Sequence, residues 1–163
     1  MDIERLYRDH ARALYRYVVS FTGSPDVAED VVQETFIRLM EREPEDTAIR
    51  GWLFQVATNL SRDAHRREVR HARLLAKAPS DATHGDGPAE TSAAALAADA
   101  RLFATSALRA LPERDRTVLL MREEGFSHAE IARAVGTTEK SVGTFIARAM
   151  TRLATILEER KVT

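Results

Sequence analysis

The arginines are the residues of this chain best suited to chemistry, and the chemistry is phosphate recognition. Arg62, Arg66, Arg67, Arg70, Arg73 and Lys77 lie close together, opposed only by Asp63 and Glu68. Such a +4 stretch suits a surface that follows a phosphodiester strand, and equally a solvated helix face. A second group, Thr137, Thr138, Glu139, Lys140, Ser141, Thr144 and Arg148, offers hydroxyls, a carboxylate and two cations within helical reach of one another. Those groups can contact base edges and phosphates. Chemistry of other kinds finds no support. With no Cys, there is no thiolate zinc site, disulfide framework or Cys nucleophile. The five His show no metal-type spacing, and no Gly-rich phosphate loop is present. Neither a metal, a cofactor nor an enzyme activity is expected.

The elements that must carry these groups read as helices. Ile3, Leu6, Tyr7, His10, Leu14, Tyr17, Val18 and Phe21 recur at three- and four-residue steps, up to a stop at Gly23. Ser24-Pro25 then opens a second helix, with Ser24 as N-cap and Pro25 at the first helical position. Val27, Val31, Thr35 and Leu39 form its stripe, and Pro44 with its acidic neighbours ends it. A third helix starts near Ala48; Ile49, Trp52, Leu53, Val56, Ala57 and Leu60 face inward, and its far half is the basic stretch. Three such helices can share one core.

Residues 78–95 are rich in Pro, Gly, Ser, Thr and Asp and poor in apolar bulk, the composition of a flexible linker. Helical signals return near Ala97. Leu102, Phe103, Leu108 and Leu111 form one piece, and Pro112 opens another that ends at Gly125. Two more helices are predicted at about 128–135 and 139–158. The expected fold is all-α: two small helical domains, 1–77 and 98–163, joined by a linker, 78–97. Local charge follows this division. Residues 1–75 sum to −1, residues 76–99 to −3 and residues 100–163 to +3.

The last two helices fit a helix-turn-helix. Ala132 is small where two helices approach, Gly136 provides the turn with a left-handed residue, and Val142 packs the second helix on the first. Ser127 and Glu130 have the spacing of a capping box. The second helix would project, as one entering a major groove must. A helical hairpin within a larger core has a similar pattern. The N-terminus lacks the apolar run of a signal peptide, and no stretch is long and apolar enough for a membrane span. A cytoplasmic protein without membrane insertion is expected.

Two segments carry a resemblance. DVAEDVVQETFIRLM with RGWLFQVATNLSRDAHRR resembles region two of bacterial RNA polymerase sigma factors, and LRALPERDRTVLLMREEGFSHAEIARAVGTTEKSV resembles region four. Two regions joined by a short linker are similar to the extracytoplasmic-function (ECF, group IV) sigma factors. The resemblance implies a protein that binds core RNA polymerase and promoter DNA, with no catalytic chemistry of its own. It implies polymerase contacts at Asp30, Gln33, Glu34 and Arg38, with Arg42 on the same side. It places −10 element recognition on the loop from about Glu43 to Arg50 and on Trp52, Asn59, Arg62, Arg66, Arg67 and Arg70. Asn59 matches a position lining the pocket for an extruded base, and Trp52 is equally suited to core packing. Recognition of the −35 element falls to Thr137, Thr138, Glu139, Lys140, Ser141, Thr144 and Arg148, with Arg152 at the margin.

One departure stands out. Gly143, Phe145 and Met150 occupy positions where the family often carries basic residues. Either the promoter relies on its −10 element, or Phe145 and Met150 bind a protein. An inhibitory anti-sigma factor is expected, because packed halves would hide both the polymerase and the DNA surfaces. Two other functions are compatible with these residues: a stand-alone helix-turn-helix regulator, and a protein that sequesters an anti-sigma factor without supporting initiation.

Overall fold

The computed structural model describes residues 1–45, 48–76 and 93–163. Every regular element among them is a helix: α1 (Ile3–Thr22), α2 (Pro25–Arg42), α3 (Ile49–Leu75), α4 (Ala93–Ala110), α5 (Glu113–Glu123), α6 (His128–Val135) and α7 (Glu139–Val162).

Local sequence sets most of their ends. Asp2 caps α1 by accepting from the Arg5 amide, and Gly23 closes it at φ +73°. Ser24 accepts from the Val27 amide and Pro25 opens α2, so the turn between the helices is minimal. Glu43 ends α2 in the left-handed region at φ 39°, just before Pro44. The start of α3 has no side-chain cap, and Ala48 stands at its N-cap.

The expected linker needs one correction. Residues 78–92 lie outside the described residues, as do Lys77 and the loop positions 46 and 47. Residues 93–97 are already helical, so α4 begins about four residues before the sequence reading placed it. The segment is AAALA, and alanine favours the helix even where packing is sparse. The last helix likewise continues to Val162 rather than stopping near 158.

In the first half, α1, α2 and α3 pack pairwise. Leu14, Val18 and Phe21 meet Ala28, Phe36 and Leu39, with Leu53, Phe54 and Ala57 closing the third side, all buried. One polar link crosses this core. Thr58 donates to the Phe54 carbonyl at 2.7 Å, so its oxygen accepts from the Tyr17 hydroxyl, also at 2.7 Å. Burial pushes the Tyr17 phenol up to about 12, and it stays a neutral donor.

In the second half, α5, α6 and α7 surround Val118, Met121, Ile131, Ala132 and Val142. The two halves are not separate bodies: their apolar interiors form one continuous cluster. The Phe126 ring meets Phe54 edge-on at 4.9 Å between centroids. Arg116 of α5 is fully buried and, among the described residues, forms no ion pair with a carboxylate. Its guanidinium instead donates to the carbonyls of Leu108, Arg109 and Leu111 in its own half and of Phe21 in the other, at 2.8 to 3.1 Å. These oxygens lie at helix C-terminal ends, where a cation is favoured.

Candidate polymerase and promoter surfaces

On α2, Asp30 and Gln33 are exposed. Glu34 and Arg38 are half-buried and pair with each other one helical turn apart at 2.8 Å. Arg42 is exposed at the end of the same helix. Val31, Thr35 and Leu39 point the opposite way into the core. The four expected polymerase contacts thus lie on one helix, Asp30 and Gln33 exposed and Glu34 and Arg38 half-buried. An adjoining groove of about 970 Å³ between α1 and α2 is lined by Tyr7, Phe36, Ile37 and Met40, with Gln33 at its edge.

The expected −10 contacts are spread along α3. Asn59 is exposed, and Arg66, Arg67 and Arg70 are exposed beyond it. Arg66 reaches Asp63 only weakly, at 3.9 Å, and Arg67 donates to the Asp63 carbonyl at 3.4 Å. Arg62 differs: it lies 3.5 Å from Glu113 of α5, with its side chain only 24% exposed. Trp52 is half-buried, at the wall of a cleft of about 350 Å³ between α3 and α6, with Arg133 and Glu130 across from it. It is neither a core residue nor a fully free platform.

The recognition helix has the expected form. Ala132 is buried beneath it, Gly136 turns at φ 70° and Val142 is fully buried. Ser127 and Glu130 form the complete capping box, with the Glu130 carboxylate accepting from the Ser127 amide at 2.8 Å. That hydrogen bond holds the Glu130 carboxyl below its ordinary value, against a smaller effect of burial. Thr138, Glu139, Lys140, Thr144 and Arg148 are exposed on α7, while Thr137 and Ser141 are half-buried. The Thr138 and Ser141 hydroxyls bond to each other at 2.8 Å. Arg152, marginal in the sequence, pairs with Asp115 of α5.

Phe145 does not present a free apolar surface. It is half-buried against the core, and the Arg114 guanidinium lies 4.1 Å above its ring. A cation therefore still sits at this place on the helix, brought from α5. Met150 is exposed. Sequence reasoning missed Arg114 and placed Arg50 only at the end of the −10 loop, without its partners: its guanidinium lies 4.0 Å over Phe126 and donates to the Glu124 carbonyl. Both pairings join residues distant in the chain, and no local spacing signals them. Among the described residues no group of His, Asp and Glu is placed to hold a metal ion, and no helix is long and apolar enough to cross a membrane.

A three-helix unit with a polar face on its second helix, packed on a helix-turn-helix unit, is the architecture of a two-region transcription initiation factor. Comparison with known proteins agrees at both ends of the chain. The sigma-70 region 2 family matches residues 6–71, and the sigma-70 region 4 family matches residues 104–153. The ECF RNA polymerase sigma factor SigL of Mycobacterium tuberculosis is 36% identical over 164 aligned residues, covering 97% of this chain and 90% of SigL. The RNA polymerase sigma factor NccH of Alcaligenes xylosoxydans xylosoxydans is 32% identical, over 97% of this chain and 88% of NccH. Among solved structures, CnrH in complex with the cytosolic domain of CnrY aligns at a TM-score of 0.70 with 26% identity, over 96% of this chain and 88% of CnrH. The sigma factor RpoE of Bartonella quintana, in complex with the anti-sigma factor NepR, shares the fold at a TM-score of 0.71 with 22% identity, over 96% and 97% of the two chains. The chain belongs to the ECF RNA polymerase sigma factors.

Proposed function

We propose that this alternative sigma factor docks on core RNA polymerase through Asp30, Gln33, Glu34 and Arg38. Its −10 contacts are Trp52, Asn59, Arg62, Arg66, Arg67 and Arg70, and its −35 contacts are Thr137, Thr138, Glu139, Lys140, Ser141, Thr144 and Arg148. It acts in the cytoplasm, needs no cofactor and carries no catalytic step of its own. Residues 1–77 and 93–163 form its two functional units.

One observation carries this reading: a single chain holds both an exposed polar face on α2 and an exposed recognition helix on α7. The first serves docking on a protein, and the second serves entry into a major groove. Arg66, Arg67 and Arg70 beyond Asn59 support a strand path, since cations in a row follow phosphates whatever the bases. Extrusion of a base costs unstacking energy, which contacts from Asn59 to the extruded base would offset. Regulation by an anti-sigma factor is part of the proposal, because CnrH and RpoE were each solved with a bound partner.

Reconstitution with core polymerase, on the DNA upstream of the factor's own gene, tests the reading. Specific run-off transcripts are expected. Asn59→Ala should lower initiation about tenfold or more, the equivalent of one lost buried contact, without changing affinity for core. A chain that binds DNA but fails to bind core would be a stand-alone regulator instead.

A further inference from the structure

The sequence reading expected packed halves to hide the polymerase surface. On α2, however, Asp30, Gln33, Ile37 and Met40 all stay exposed. Gln33 and Met40 are one heptad apart, so they fall within about 20° of each other around the helix axis. A partner seated on Gln33 therefore also meets Met40. Around Met40 the surface is apolar. Tyr7 of α1 and Ile37 are exposed beside the same groove, and Ile3 and Phe36 line it with them. Exposed apolar side chains gathered in one place mark an interaction surface. The sigma-factor reading supplies its occupant, core RNA polymerase.

Met40 combines access with this apolar setting, and the other methionines of the chain do not. There are four. Met121 is 1% exposed in the core of the second half, Met1 is the first residue, and Met150 lies on α7. Met40 is 53% exposed and lines the groove. The chain has no Cys, so its thioethers are its oxidisable sulfur. Hydrogen peroxide transfers one oxygen atom to a thioether. The sulfur lone pair forms the S–O bond, the O–O bond breaks, and water leaves. The sulfoxide is polar, and an apolar partner surface no longer packs on it.

We propose that Met40 is a modification site, whose oxidation to the sulfoxide by peroxide withdraws the free chain from core RNA polymerase. The change is reversible. A methionine sulfoxide reductase with a dithiol returns the thioether and yields a disulfide and water. Bound polymerase covers the same sulfur, so the modification acts on the free chain. This rests on the polymerase-docking reading above, and the test separates the two.

The purified chain is treated with hydrogen peroxide, desalted, and titrated with untreated core polymerase. Peptide mass spectrometry locates the added oxygen. Oxidation at Met40 is expected to lower affinity for core about tenfold, the equivalent of withdrawing one apolar side chain from burial. Methionine sulfoxide reductase with dithiothreitol should restore it. Met40→Leu removes this sulfur and keeps Met1, Met121 and Met150. Its affinity, whatever its starting value, should be the same before and after peroxide. In the complex with core, Met40 should oxidise several-fold more slowly than in the free chain.

Undiminished affinity in a chain oxidised at Met40 overturns the proposal. So does an equal loss in treated Met40→Leu, which traces the effect to another methionine or to unfolding. A Met40 that stays unoxidised while Met150 reacts overturns it too, as does a Met40 that oxidises equally fast in the complex. An untreated chain that does not bind core overturns the sigma-factor reading, and this proposal with it.

Discussion

Gly143 interrupts the exposed face of the recognition helix at a place where a larger side chain would fit. Among the described residues a Cβ there would meet only His128 Cε1, at 3.9 Å, an ordinary contact. Its φ lies outside the left-handed region, so nothing in the backbone requires glycine. Gly143→Arg is therefore expected to stabilise the protein by about 0.7 kcal/mol through helix propensity. It should also steepen the salt dependence of DNA binding by about one unit of log K per log salt, the signature of one added phosphate contact. Thermal unfolding and binding titrations across a salt series check both. Phe145 teaches the complementary lesson. In the sequence it reads as a lost charge and a candidate protein contact. In space it is a half-buried platform under Arg114, and the charge is moved to another helix.

At the scale of the element, the helix-turn-helix depends on its first cap. Ser127 and Glu130 bond reciprocally at the start of α6, only eight residues long. A helix this short is not stable alone, so its cap matters more than it would in a long one. Ser127→Ala should cost about 1 kcal/mol, measured as a shift of the urea midpoint. The pH dependence follows from Glu130. Its carboxyl is held below the usual value, so its stabilising effect is present above the ordinary glutamate range and is lost as pH falls through its lowered value. Glu130→Gln should thus destabilise at neutral pH and lose that effect in acid. Urea titrations at pH 7 and pH 3 measure the difference.

At the scale of the whole molecule, the halves share one interior, and Phe126 is one of the side chains that join them. It is buried, packed edge-on against Phe54 and covered by Arg50. Phe126→Ala should cost about 3–5 kcal/mol. Trp52 is the only Trp and belongs to the first half, while Phe126 belongs to the second. Trp fluorescence and helical circular dichroism should therefore shift together in urea. A fluorescence transition unmoved by this change would show that the halves unfold independently.

The helices and their ends were legible in the chain because they depend on local chemistry. Ser24-Pro25, Ser127 with Glu130, Gly23 and Gly136 each satisfy or relieve backbone groups within a few residues. The exposed polar face of α2 and the recognition helix were legible for a related reason: helical period separates inward from outward positions. Residues 93–97 were misassigned because a polar, turn-rich composition upstream hid five residues of high helix propensity. The fates of Arg62, Arg50 and Arg116 could not be read this way. Their partners, Glu113, Phe126 and the Phe21 carbonyl, are far along the chain. A cation can face solvent, a phosphate or a buried carbonyl with the same local sequence around it. Which of these it meets depends on how the two halves pack, and that packing is a property of the assembled interior.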